Sequence, residues 1–438
     1  MKFINKYICI GAVLFSFQLV AQNTLTKKEA LKITLENNYG IKIANNNIKV
    51  AKNNSSIYNS GYLPTISATS GANYSNTNQT VVRQDTTISI NGAVTKSYNA
   101  SVGLNYTIFD GLGRKYNYDQ LKERYDLSEL QARETIENTY LQLFTVYFQI
   151  ARLSENTSSL QEALKISKQR LKRAEYQYEY GQSTKLELLN AEVDVNNDSI
   201  AFINSKQQFA NAKRSLNIIL GVSKEVGYDV ETEVSFSTLL NLDDLLSEAK
   251  SNNVLLKQNE KNIAINEFNI KVNKANYLPS LGLTTSYGWN KSENPATSFA
   301  TGSTSDGLSA GLNLSWNLFD GGSTKTRVAN AKIALENQEI LLEQQEETLE
   351  NNLKNTWEDY QNKLFVSRAQ EQNVITSQNN FDRTEERYKL GQVSSIEFRQ
   401  AQINLINTKT ALNNAKFDAK LIELQLLQLS GQILNTEF

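Results

Sequence analysis

The stretches LNYTIFDGLGRK, Leu104 to Lys115, and LNLSWNLFDGGSTK, Leu312 to Lys325, carry the same event twice. In each, alternating apolar and polar residues run up to Phe-Asp-Gly, and a long charged segment follows. Alternation of period two belongs to a strand with two unlike faces, whereas apolar steps of three and four belong to a helix. The chain therefore passes from strand to helix at Phe109-Asp110-Gly111 and again at Phe319-Asp320-Gly321.

Upstream of the first junction, Tyr98, Ala100, Val102, Leu104, Tyr106 and Ile108 interleave with small polar residues. Leu308, Ala310, Leu312, Leu314, Trp316 and Leu318 do the same before the second. Leu281, Leu283, Thr285, Tyr287 and Trp289 make a third series, and Ile66, Ala68, Ala72 and Tyr74 a weaker fourth. Strands are thus expected at about 64–75, 97–108, 280–290 and 307–318, joined in pairs by loops from Ser75 to Lys96 and from Asn290 to Asp306. Each run is charge-free, with aromatics toward one end, and about ten residues is the length of a strand crossing an outer membrane. A half-buried sheet in a soluble domain alternates in the same way, but it does not need a polar face so small and neutral.

Pro64 and Pro279 stand just before the first strand of each pair, following Tyr62-Leu63 and Tyr277-Leu278. Proline cannot continue a helix and extends the residue before it, so the opening helices are expected to stop at Leu63 and Leu278. Downstream of the junctions, helices are expected at about 111–180 and 321–390, free of proline. Some seventy residues at about 1.5 Å each make a rod on the order of 100 Å. Val146, Ile150, Leu153, Thr157, Leu160, Leu164, Ser167, Leu171, Ala174 and Tyr178 step by four and three. So do Ala401, Leu405, Thr408, Leu412, Ala415, Ala419, Ile422, Leu426 and Leu429. Such a rhythm implies helices packed along narrow seams with their other faces wet.

The chain is two copies of one unit. Tyr-Leu-Pro recurs 215 positions on (62 to 277), and Phe-Asp-Gly 210 positions on (109 to 319). YEYGQSTKLELLNAE from Tyr178 matches YKLGQVSSIEFRQAQ from Tyr388, with Gly181 opposite Gly391, and Leu220-Gly221 matches Ser430-Gly431. Each copy reads helix, strand, strand, long helix, helix. The copies cover 22–221 and 243–431, with a linker at 222–242 that breaks the helical pattern and a tail at 432–438.

MKFINKYICIGAVLFSFQLVAQN at the start has lysines, an apolar run and a small residue at Ala21, the form of a signal peptide spanning 1–21. The one cysteine, Cys9, lies within it, and the 438 residues contain no histidine. Disulfides, thiolate chemistry, imidazole metal sites and Ser-His or Cys-His catalysis are excluded from the mature chain. With no nucleophile elbow, Walker loop or dinucleotide fingerprint, no enzyme, cofactor or metal is expected. A net charge of -1 gives no pull toward nucleic acid.

At the junctions the aromatic closes the apolar band, Asp110 or Asp320 caps the new helix, and Gly111 or Gly321 permits the turn. Four strands cannot close a barrel, and an open edge in lipid leaves backbone groups unpaired. Copies must associate: two give eight strands and three give twelve, and the pattern alone does not choose.

The duplicated order, the Tyr-Leu-Pro before each first strand, the Phe-Asp-Gly after each second strand and the paired Tyr-x-x-Gly turns resemble the TolC-type outer-membrane efflux family. The resemblance spans essentially the whole mature chain. It implies a mainly α fold with a membrane β-barrel: four strands per chain, a homotrimer with a twelve-stranded barrel, and a periplasmic tunnel of coiled-coil helices. It also implies residence in the outer membrane of a Gram-negative bacterium and passive export of small molecules or polypeptides. The partners implied are outer-membrane lipid, a periplasmic adaptor and an inner-membrane transporter.

By the same resemblance, the turns Tyr180-Gly181-Gln182-Ser183 and Leu390-Gly391-Gln392-Val393 meet the adaptor, although a glycine-terminated helix explains both glycines without a partner. A periplasmic gate falls on Tyr388, Glu397 and Gln400, with Glu187 the counterpart of Glu397 in the first copy. Many relatives carry a second carboxylate where Gln400 stands and a basic residue where Val393 stands. Three Glu397 carboxylates near one axis would repel one another and raise each other's pKa; an ordinary solvated helix residue is the other reading. A non-pore coiled-coil scaffold leaves the four charge-free runs unexplained, and an outer-membrane enzyme finds no titratable group in them.

Overall fold

The computed structural model describes residues 24–222, 228–237 and 240–436. The expected signal peptide, Cys9 and parts of the linker and tail lie outside them. In chain order the elements are β1 (Thr24–Leu25), α1 (Lys27–Asn37), α2 (Tyr39–Asn54), β2 (Thr65–Arg83), β3 (Thr86–Phe109), α3 (Gly113–Glu179) and α4 (Lys185–Leu220). The second half supplies β4 (Asp229–Val230), α5 (Leu242–Asn252), α6 (Val254–Ala275), β5 (Ser280–Glu293), β6 (Gly302–Ser315), α7 (Ser323–Lys389) and α8 (Ser395–Leu429). The two long helices α3 and α7 are both 67 residues, and their bounds differ by the 210 positions of the repeat.

Two compact units each draw on both copies, so the units cut across the repeat. One contains residues 45–132 and 255–345, including an antiparallel sheet ordered β2-β3-β5-β6. Its register aligns the four alternations on one face: Ala68 lies opposite Val102, Val102 opposite Tyr287, and Tyr287 opposite Leu308. The other face carries Ser67, Gly103, Ser286 and Ser309 in the same order, with Ser286 and Ser309 hydroxyls 2.9 Å apart. A slip of one residue in any strand would exchange the faces. Both outer edges, β2 and β6, are unpaired on one side within the chain.

The strands differ in extent from the expected runs. β2 and β3 continue through the expected loop as a hairpin turning at Gln84 and Asp85, and β5 and β6 reach Glu293 and Gly302. Ladder hydrogen bonds do not require apolar side chains, so pairing persists past the charge-free band. Lys96 and Glu293, 3.8 Å apart across strands, stand in this outer extension. At the other end β6 stops at Ser315, not 318, because its last partner is Ser280 and the next residue, Pro279, has no N–H to extend the ladder. The opening helices also end early, at Asn54 and Ala275 rather than at Leu63 and Leu278. Pro64 and Pro279 serve as the last residues before strands.

The junctions show why glycine follows aspartate. Asp110 Oδ2 accepts the Arg114 backbone N–H at 2.9 Å, and Asp320 Oδ2 accepts that of Thr324 at 2.7 Å. Gly111 and Gly321 have φ of 68° and 67°. A Cβ on Gly111 would also lie 2.5 Å from the Ala275 carbonyl oxygen, whereas one on Gly321 would meet open space. Thus Gly111→Ala is expected to destabilise the fold well beyond the left-handed backbone cost of about 1–2 kcal/mol, which is all Gly321→Ala should lose. Equal losses in parallel urea titrations would contradict this packing.

The other unit holds residues 24–44, 133–254 and 346–436 of those described. Its core gathers Tyr140, Phe144, Tyr147, Phe148 and Ile150 of α3 with Leu216 and Leu220 of α4 and Phe417 and Leu424 of α8. The linker is drawn onto this core: β4 pairs in parallel with β1, and the buried Tyr147 hydroxyl donates to Leu25 O at 2.6 Å and accepts from Glu231 N at 3.0 Å. The opening helices break at Asn38 and Asn253, 215 positions apart. Each asparagine reaches a helix end of its own copy, Asn38 Nδ2 donating to Ile219 O and Asn253 Nδ2 to Leu429 O. The chain makes the same joint twice, closing each long helix pair onto the residues that open its copy.

Candidate functional site

The α3–α4 and α7–α8 pairs turn over identical glycine caps. Gly181 N–H donates to Tyr178 O and Gln182 N–H to Gln177 O; Gly391 and Gln392 repeat this with Tyr388 and Arg387. These are Schellman closures, and the two glycines have φ of 71° and 74°. Nothing lies within 4 Å of a Cβ built on either, so the turns are bare. Tyr180 and Leu186 flank the first turn and Leu390 and Ile396 the second, all strongly exposed. The sequence expectation covers Tyr180, Gly181, Gln182 and Ser183 and Leu390, Gly391, Gln392 and Val393; Leu186 and Ile396, which complete the exposed apolar pairs and also recur at 210, lie outside it.

Glu397 occupies the third position of α8 and forms a capping box with Ser394: its carboxylate accepts from Ser394 N at 2.8 Å and Oγ at 2.9 Å. These hydrogen bonds favour the charged form, the backbone one foremost, and hold its pKa below the ordinary glutamate value. Within one protomer the shift is therefore opposite to that expected from three converging carboxylates. Glu187 stands at the same place in α4, where its N–H donates to Thr184 Oγ1 and its carboxylate accepts from Ser183. Gln400 points along its own helix to Asn404. Tyr388 stacks on Phe398 with centroids 4.7 Å apart and planes 4° apart, while the Arg173 guanidinium covers the tyrosine at 4.8 Å.

A depressed native pKa stabilises above the unfolded value, and the contribution disappears as pH falls through the native one. The Glu397 carboxyl is accordingly expected to titrate below the ordinary glutamate range by NMR. Ser394→Ala should return its midpoint toward that range; no movement would show that the cap does not set it.

Behind the turn lies a polar cluster that sequence reading missed. Arg399 of α8 grips Asp198 of α4 with both terminal nitrogens, at 2.7 and 2.8 Å. Ser167 of α3 donates to Asp198 at 2.5 Å, and Arg170 of α3 pairs with Asp194. Gln402 donates to Ala163 O at 2.9 Å and accepts from Arg399. Ser167, Arg170, Asp198 and Gln402 are all buried, Arg170 to 2% exposure. Two arginines and two aspartates balance, so the cluster fastens three helices without net charge. Its signal was available in the spacing of Asp194 and Asp198, one helical turn apart on a face that meets the seam.

The outer membrane efflux protein family matches residues 30–222 and 245–432. The chain belongs to that family. It is 22% identical to the outer membrane protein TolC of Vibrio cholerae over 379 residues, 85% of this chain and 83% of that protein. It is 21% identical to the outer membrane efflux protein BepC of Brucella suis over 434 residues, 97% of this chain and 89% of that one. The fold matches the Campylobacter jejuni CmeC outer membrane channel with a TM-score of 0.78 at 17% identity, covering 93% of this chain and 86% of the other. This outer membrane efflux protein therefore has the channel fold, and its family places it in the outer membrane of a Gram-negative cell with a large periplasmic part. Among the described residues no helix is long and apolar enough to cross a membrane.

Proposed function

We propose that this outer membrane efflux protein is the passive exit duct of a tripartite system, built from three copies whose four strands each make one twelve-stranded barrel. The observation that carries this is a sheet with one apolar and one small neutral face, open at both edges, on a chain whose two long helix pairs end in bare glycine turns. In lipid the open edges must pair with other copies. The first and last strands run antiparallel, so β6 of one copy can continue the ladder into β2 of the next. The reading needs no catalytic group, cofactor or nucleic acid, and a scaffold without a pore would have no use for the two-faced sheet.

The turns are the adaptor contacts in this account. Tyr180 with Leu186, and Leu390 with Ile396, give each chain two equivalent apolar sites around a glycine, suited to a helical hairpin bearing an apolar seam. Glu397, Tyr388 and Gln400 form the gate region, with the Glu397 carboxylate charged at neutral pH by its own cap. The purified protein is expected to open discrete channels in planar bilayers. Leu390→Asp with Leu186→Asp should leave conductance and native mass intact while abolishing dye efflux from cells. Loss of the channel itself would place these residues in the pore assembly instead, and a protein without conductance would sink the duct.

A further inference from the structure

The residues between β5 and β6, 294–301, form a closed turn. Asn294 N–H donates to Thr301 O at 2.9 Å, Asn294 Nδ2 to Ala300 O at 3.2 Å, and Ser298 N–H to Pro295 O at 2.9 Å. The proline ring fixes one of its backbone angles, and these bonds tie the rest. Thr297, inside the turn, is buried, and its hydroxyl donates to Gln79 Oε1 at 2.8 Å. Gln79 belongs to β2, and β3 stands between β2 and β5 in the sheet, so this one bond reaches across a whole strand.

The register sets the face on which it crosses. Along β2 the residues Ser67, Thr69 and Thr77 lie on the small neutral face, the Thr69 hydroxyl 2.9 Å from that of Ser101. Gln79 continues that row by the alternation of the strand. Ala93, opposite Thr77 on the same face of β3, is only 3% exposed, so chain lies over the neutral face at this end of the sheet. The turn 294–301 is anchored there. Two residues beyond Thr297 it carries Phe299, whose side chain is fully exposed.

In a closed barrel the neutral face lines the lumen. Twelve strands spaced about 4.8 Å apart and tilted about 40° leave about 24 Å between opposite walls. Layers of chain packed face to face lie about 10 Å apart, so a turn resting on the inner wall brings an inward side chain close to the axis. We infer that the Phe299 rings of the assembled copies meet one another across the outer mouth and form an apolar constriction through which exported molecules leave. Burying such a ring is worth about 1.5–3 kcal/mol, and the neighbouring copies offer the same apolar surface in return. The inference rests on the barrel proposed above and assigns what stands in its exit.

The one cysteine, Cys9, lies in the expected signal peptide, so single cysteines in the mature chain report directly. Phe299→Cys, treated in intact cells with a short bismaleimide, is expected to give covalent dimers of the chain. Lys291→Cys, on the opposite face of the same sheet, should stay monomeric under that treatment. In planar bilayers a bulky maleimide on Phe299→Cys should lower the conductance more than twofold, and the same label on Lys291→Cys should leave it unchanged. In a protein of multimeric native mass, a Phe299→Cys dimer yield no higher than that of Lys291→Cys, or a conductance unmoved by the label at 299, would overturn the constriction and leave the barrel standing. A single-chain native mass would overturn both.

Discussion

Arg399→Leu is expected to destabilise the tip-side helices by about 3 kcal/mol, because it leaves Asp198 charged in a site where its side chain is only 10% exposed. The cost arises less from a lost attraction than from an abandoned carboxylate. The repeat indicates how to remove that cost: at the equivalent positions the chain carries Leu189 and Thr408. Arg399→Leu combined with Asp198→Thr should therefore recover at least half of the loss, since the Arg170–Asp194 pair remains and no unpaired charge is left. Hydrogen exchange along α8 measures both variants. A double variant no better than the single one would show that the cluster acts through shape rather than charge.

Gly221→Ala and Gly431→Ala are the second pair of large effects. A Cβ on Gly221 would stand 2.3 Å from Asn37 O, and one on Gly431 2.5 Å from Asn252 O, with φ of 69° and 74°. Backbone has to move, and it is the backbone that joins α1 to α2 and α5 to α6. The expected loss is about 3 kcal/mol or more at each, combining overpacking with left-handed strain. Gly181→Ala and Gly391→Ala have the same φ range but open space, and should lose only about 1–2 kcal/mol. Urea unfolding of the four variants should rank them in these two groups; a common loss would mean that φ alone governs these glycines.

The parts of the fold that were legible in the sequence are those set by a two-faced environment. The runs through Tyr98–Tyr106 and Leu308–Leu314 placed their apolar residues on the face that the strand register then assembled, because lipid on one side imposes period two; at the junction a register shift sets Phe109, not Ile108, opposite Leu281. Strand ends were less visible: beyond Lys96 the β2–β3 ladder runs on to Arg83 and Thr86 through a register shift between Thr77 and Gln79, and β5–β6 pairing runs on to Glu293 and Gly302. β1 and β4, at two residues each, are too short to display a period. In the helices, Ala401, Leu405, Ala415, Ala419 and Leu426 read correctly as seam. On α3 the buried row runs through Ala163, Ser167, Arg170 and Ala174, only partly the expected positions, since an arginine at a seam position reads as solvent until its aspartate is known. Pairing across the copies is what sequence pattern omits, and it is where the ion-paired cluster arises.

Glu397 illustrates the complementary limit. Its position one turn into α8 was legible, and so was Ser394 three residues earlier, the spacing of a capping box. What the capping box does to the carboxyl required the distances. The gate proposal now concerns a carboxylate already committed to its helix start, whereas Glu187, its first-copy counterpart, turns its carboxylate to Ser183 instead of to its N-cap Thr184.

The account stands on several copies closing one barrel from an open sheet. Native mass spectrometry of the protein extracted from outer membranes in mild detergent tests this most directly. Three chains per particle is the expected result, giving twelve strands from four per chain; a particle of one chain, or of two, would contradict it.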